Sequence, residues 1–185
     1  MVQCAHGADA ARARLLNEVE DVTVTLLPDE SYLGTDRLVV QPDAVMESPG
    51  CHVLVEAKRI RQASFQPEQL SREYLALKGD AGEKCPLLLV ILAGPPPVPV
   101  RGHGRLGLVE AVRLYLPAVL ARTQEQAAIE ELHDAVPDRV AWITWAEIRQ
   151  VVVDQLASMP HIEASLRGTV ERLSSSLTKA VDWHT

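Results

Sequence analysis

Hydrophobic and polar positions along this chain switch repeatedly between a helical and a strand-like period. Ala8 to Glu20 is rich in alanine, has Asp9 near its start, and places Leu15 and Val19 four apart, which predicts a helix with a narrow apolar edge. VTVTLL at residues 22–27 alternates and is β-branched, so it predicts a strand, and the turn-rich PDESYLGTD follows. RLVVQPDAVME and HVLVEAKRI predict two further strands joined by SPGC. QPEQLSREYLALKG predicts a helix with Pro67 at its first position and Gly79 just past its end. PLLLVILAG is unbroken apolar sequence and predicts a strand buried on both faces.

The second half continues the order. GPPPVPVRGHG predicts a stiff, extended loop. Arg105 to Leu120 predicts a helix that Pro117 interrupts, and TQEQ from Thr123 has capping-box spacing for another. RVAWITW predicts a strand, with a helix from Ala146 to Ser158 behind it. Ile162, Leu166, Val170, Leu173, Leu177 and Val181 then recur three or four apart, the stripe of an amphipathic terminal helix. The expected architecture is an α/β domain over residues 1–158, a mixed central β-sheet flanked by helices, with an appended helix at 159–185.

The hairpin in the first half carries chemistry as well as pattern. A turn at Ser48-Pro49-Gly50-Cys51, with proline then glycine as in type II turns, sets a register in which Glu47 faces His52, Asp43 faces Glu56 and Lys58 faces Gln41. Facing Cα atoms lie about 4.5–5.5 Å apart, so Asp43 and Glu56 can share one cation. Val40, Ala44, Met46, Val53, Val55 and Ala57 form the apolar reverse face. A slip of one residue would exchange the two faces, so the alternation supports the pairing.

Two facing carboxylates repel unless a counter-ion lies between them. A ligand set of oxygens, without Cys or His at metal spacing, selects magnesium or manganese over zinc. Lys58, two residues beyond Glu56 on the same face, adds a fixed positive charge. That combination suits phosphodiester hydrolysis: the cation activates water and screens phosphate, and the lysine orients the nucleophile or stabilises developing charge.

Composition narrows the picture. The chain has 185 residues, 47% of them hydrophobic, which is enough for one domain with a core. A formal net charge of -7 gives no sign of a general polyanion binder, so nucleic acid must meet a local basic patch. Lys58, Arg59 and Arg61 form that patch beside the acids, and Arg72 adds to it from the following helix. Cys4, Cys51 and Cys85 are an odd set without CxxC spacing, as expected of reduced thiols in a cytoplasm. No apolar run is long enough to span a bilayer, and no signal peptide is expected. His52 reads as a surface histidine or a partner of Glu47, His103 as a loop tip between Arg101 and Arg105, and Trp142 and Trp145 as packing residues.

Pro42-Asp43 followed by Glu56-Ala57-Lys58 resembles the signature of the PD-(D/E)XK nucleases, the restriction-endonuclease-like fold. The resemblance covers residues 8 to 93, in the order helix, three strands, helix, strand. It implies an αβββαβ core and a nuclease dependent on Mg2+ or Mn2+, acting on nucleic acid, DNA before RNA. Asp43, Glu56 and the Ala57 carbonyl would bind the metal, and Lys58 would be catalytic. Gln69 matches a glutamine that many relatives carry on the next helix, although Tyr74 follows it at five residues where relatives place a tyrosine at four. Glu18 or Glu20 would match a first-helix glutamate found in some members. A catalytically idle module serving in assembly is the alternative that the acidic net charge keeps open. The terminal stripe allows either a homodimer through this helix or packing on its own sheet.

Overall fold

The longest apolar run becomes the middle of the sheet, because only a strand covered on both faces can bury every side chain. In the computed structural model, which describes residues 1–34, 38–58, 64–123, 128–158 and 164–184, all residues from Leu87 to Leu92 are buried. They belong to β6 (Cys85–Leu92), with β5 (Cys51–Ala57) on one side and β9 (Val140–Thr144) on the other, both parallel to it. Beyond β5 the sheet turns antiparallel through β4 (Ala44–Glu47) to the edge strand β1 (Thr23–Leu26), giving the order β1-β4-β5-β6-β9.

Helices cover both faces of this mixed sheet. Leu15 of α1 (Asp9–Asn17) and Ile148 of α6 (Trp145–Ser158) pack with Val53, Val55, Leu89 and Ile143. On the other face α2 (Gln69–Ala81), α3 (Leu108–Arg113), α4 (Leu116–Thr123) and α5 (Ile129–Arg139) bury Leu54, Leu88 and Val90. Each fully buried Leu or Val contributes about 1.5–3 kcal/mol, so this packing holds the strand order.

Several elements differ from the sequence expectation. Residues 38–47 do not form one strand: β3 (Leu38–Val40) ends before Pro42, which has no N–H to give a ladder, and pairs with β2 (Ser31–Leu33) in a separate hairpin. That hairpin lies on α2, so Val40 packs in the α2-side core, away from Ala44 and Met46. The face carrying Glu56 is itself a core face, where Leu54 is buried and Val45 packs against the same cluster. The proline-rich segment folds into a hairpin, β7 (Val98–Val100) with β8 (Gly104–Leu106), whose Val98 and Val100 are buried. Helix α2 runs through Gly79 and ends before Gly82, whose φ of +57° with ψ of -118° is a conformation open to glycine and closed to residues with a Cβ. Pro117 is the second residue of α4, a first-turn position that needs no N–H, and Gln124 to Gln126 lie outside the described residues.

His52 is buried at 6% exposure rather than on the surface, with Nδ1 against the Glu47 carboxylate, whose other oxygen meets Lys84. The terminal helix α7 (Ala164–His184) packs on α6 of its own chain, with Arg149 and Asp182 at 2.6 Å and Val181 buried, while Leu173 is 66% exposed. No helix among the described residues is long and apolar enough to cross a membrane.

Candidate functional site

The C-terminal end of β5 meets the first turn of α2, and the polar residues of the sheet's α2 side gather there. Glu56 is delivered by the strand, and Lys58 by the residue after its end. The Lys58 N–H donates to the Ile91 carbonyl at 2.8 Å, and its own carbonyl accepts from Trp145 Nε1 at 2.8 Å. With its backbone held on both sides, Lys58 reaches back along the same face, as residues two apart on a strand do. Its Nζ lies 2.8 Å from Glu56 Oε1 and 2.7 Å from Gln69 Oε1, and 4.7 Å from the centre of the Phe65 ring. Trp145 therefore does more than pack.

Gln69, the first residue of α2, links the cluster. Its oxygen accepts from Lys58, and its Nε2 donates to Glu56 Oε1 at 2.6 Å and Glu73 Oε1 at 2.9 Å. Glu56 and Glu73 are both buried. Burial pushes the Glu73 carboxyl well above the usual carboxylate range, with the Glu56 charge adding to the effect and the Gln69 hydrogen bond and Lys58 opposing it.

Asp43 reaches the same strand end by a different route than the register predicts. The ladder pairs Glu47 with His52 and continues as expected to Ala44 and Val55. At Asp43 it bends: the N–H donates to the Val55 carbonyl at 3.0 Å, the carbonyl accepts from Leu27 at 2.9 Å, and Oδ2 accepts from the Ala57 N–H at 2.7 Å. Asp43 is thus tied to the peptide after Glu56 and is not its ladder partner; where the strand bends at Asp43, its carboxylate takes the place of a backbone acceptor for the Ala57 N–H.

The donors that could hold a cation here are the Asp43 and Glu56 carboxylates and the Ala57 carbonyl. All are oxygens, a set that suits a hard divalent ion retaining several waters. Among the described residues no three acidic, His or Cys side chains converge on one point. Beside the cluster, Val39, Val40, Gln41, Gln69, Arg72 and Glu73 line a cleft of about 120 Å³. Two atoms of its lining residues, Arg72 Nε and Glu73 Oε2, are buried without a hydrogen-bond partner among the described residues. Arg59 and Arg61 lie outside the described residues.

Other candidates belong elsewhere. Glu18 sits at the opposite end of β5, where Oε2 accepts from the Ser48 hydroxyl at 2.6 Å and the Gly50 N–H at 2.8 Å. Those two bonds hold its carboxyl below the usual range and make it a brace for the β4–β5 turn. Glu20 is exposed in the turn after α1. Tyr74 is a core residue whose hydroxyl donates to the Leu132 carbonyl at 3.1 Å. Trp142 stacks on His6 with ring centres 4.2 Å apart.

Sequence reading missed Glu73. The signal available was its spacing, one helical turn after Gln69. No family model matches the chain, and no curated protein matches it.

Proposed function

We propose that this chain is a divalent-cation-dependent nuclease, DNA being its substrate before RNA, built on a restriction-endonuclease-like core in which α1, β1, β4, β5, α2 and β6 follow the αβββαβ order. The observation that carries this reading is the clustering at one strand end of Glu56 with Lys58 Nζ at 2.8 Å, next to an Asp43 bonded to the Ala57 N–H at 2.7 Å. An acid, a second acid and a lysine with both backbone groups anchored are the parts that phosphodiester hydrolysis requires.

In this reading Asp43, Glu56 and the Ala57 carbonyl hold Mg2+ or Mn2+. Bound there, such a cation would supply a water of lowered pKa and a counter-charge for the phosphate. Lys58 directs its ammonium at the attacking water or the phosphate oxygens, and Gln69 keeps Lys58 and Glu56 in mutual contact. Arg72, with Arg59 and Arg61, supplies positive charge for the backbone of the nucleic acid. The net charge of -7 favours a second reading, a module of the same fold that no longer cuts and serves in assembly. A homodimer through α7 would bring two such sites together.

Plasmid and RNA incubated with and without Mg2+ or Mn2+ test the proposal. Cation-dependent cleavage that disappears in Glu56→Gln and in Lys58→Met, with Lys58→Met keeping cation affinity, supports it. A wild type that cuts neither substrate with any divalent ion leaves the assembly reading. Glu56→Gln takes the charged partner from the half-buried Lys58, which keeps its bond to Gln69, so the fold of this variant is checked by circular dichroism.

A further inference from the structure

Glu73 has no role in the nuclease site, yet it is the most costly residue beside it. At 4% exposure it sits on α2 among Leu70, Tyr74 and Leu77, where an apolar side chain would pack without penalty. Its Oε1 accepts from the shared Gln69 amide, its carboxyl lies within hydrogen-bond reach of the Glu56 carboxyl, and its Oε2 has no partner among the described residues. Two buried carboxyls that face each other must share either a proton or a cation, and the unpartnered Oε2 leaves room for the second.

We infer that Glu73 and Glu56 together hold a divalent, oxygen-seeking cation on the cleft side of the strand end, distinct from the ligand set Asp43, Glu56 and Ala57. The two Oε1 atoms contact one nitrogen at 2.6 and 2.9 Å, so they are no more than about 5.5 Å apart. Oxygens opposite one another on a six-coordinate Mg2+ or Mn2+ lie about 4.2 Å apart, so withdrawal of the Gln69 amide and closure by little more than an ångström complete the bridge. The adjoining cleft of about 120 Å³ has room for several waters, which such a cation keeps as further ligands. Charge agrees: among the described residues Lys58 is the cation that Glu56 and Glu73 face, so ionising both leaves a deficit that a further cation removes. Arg72 Nε, buried and without a partner among the described residues on the same cleft, supplies a donor for a phosphate oxygen that approaches the cation.

The cation site stands on this geometry, and only the phosphate as its further ligand rests on the nuclease reading. Free Mn2+ is counted by electron paramagnetic resonance while the full chain is titrated, comparing wild type, Glu73→Gln and Asp43→Asn. Wild-type binding should weaken by tenfold or more, about the loss expected for removing a ligand, in Glu73→Gln, and a Glu73-dependent portion should survive in Asp43→Asn. Superimposable titrations of wild type and Glu73→Gln, or no binding by wild type up to about 5 mM, overturn the inference. If Glu73→Gln fails to fold, Glu73→Asp, which keeps the charge but withdraws it by one methylene, must weaken binding in the same titration. Glu73-dependent binding by a protein that cuts no nucleic acid would sink the nuclease reading and leave this site standing. Cleavage with a Glu73-independent titration would do the reverse.

Discussion

Replacing Glu73 by glutamine in the cation-free protein should stabilise it, and by an amount that grows with pH. The amide keeps the side chain's shape and an acceptor for Gln69, so below the ordinary carboxyl value of 4.5, where Glu73 is neutral folded or unfolded, the two proteins should be nearly equal in stability. Above it the unfolded glutamate releases its proton, while burial and Glu56 hold the folded one protonated. The folded state then binds more protons than the unfolded state, so wild-type stability falls as pH rises. Each pH unit across that window costs about 1.4 kcal/mol, without a discount for solvent because the group is buried. With a urea slope of about 2 kcal/mol/M, the midpoint of Glu73→Gln should pull ahead of wild type by about 0.7 M per pH unit. Urea titrations followed by tryptophan fluorescence from about pH 4 upward, at about half-unit steps, measure it. Saturating Mn2+ should shrink the gap, because a ligand that binds folded wild type more tightly than folded Glu73→Gln adds more to the wild-type stability. A gap that stays flat or narrows with pH in the absence of cation would refute the reasoning, since Glu73 would then ionise as easily in the fold as outside it.

Trp145→Phe removes the indole donor that holds the Lys58 carbonyl but keeps most of the ring, so it should cost about 1 kcal/mol of stability. As a positioning effect it should lower kcat about 10- to 100-fold with KM and Mn2+ affinity unchanged; an unchanged kcat would show that the Ile91 bond alone places Lys58. A chain truncated after Ser158 loses α7 and the cover it gives α6. If α7 forms a dimer, the full chain sediments as a dimer and the truncated one as a monomer. If both are monomers and the truncated one is only less stable, α7 belongs to its own chain's core.

The alternating segments made much of this fold legible in the sequence. Period-two alternation leaves one residue no choice of face, so the pairing from Glu47 with His52 to Ala44 with Val55 and the shared face of Glu56 and Lys58 followed from local pattern alone. The run from Leu87 to Leu92 likewise required burial on both sides. The remainder depended on what surrounds each element. Periodicity reports one apolar stripe on α2, but the helix is enclosed by the sheet, the β2–β3 hairpin and α3 and α4, so Glu73, on a side that local pattern leaves polar, is buried. Asp43 leaves the ladder where the chain bends, and its carboxylate, not a backbone carbonyl, accepts from the Ala57 N–H. Trp145 meets Lys58 across 87 residues of chain, a contact made only when β9 docks on β6 and starts α6 beside the strand end. Local alternation decides which way a side chain points. Only the packed fold decides what it meets there, because that depends on neighbours distant in the chain.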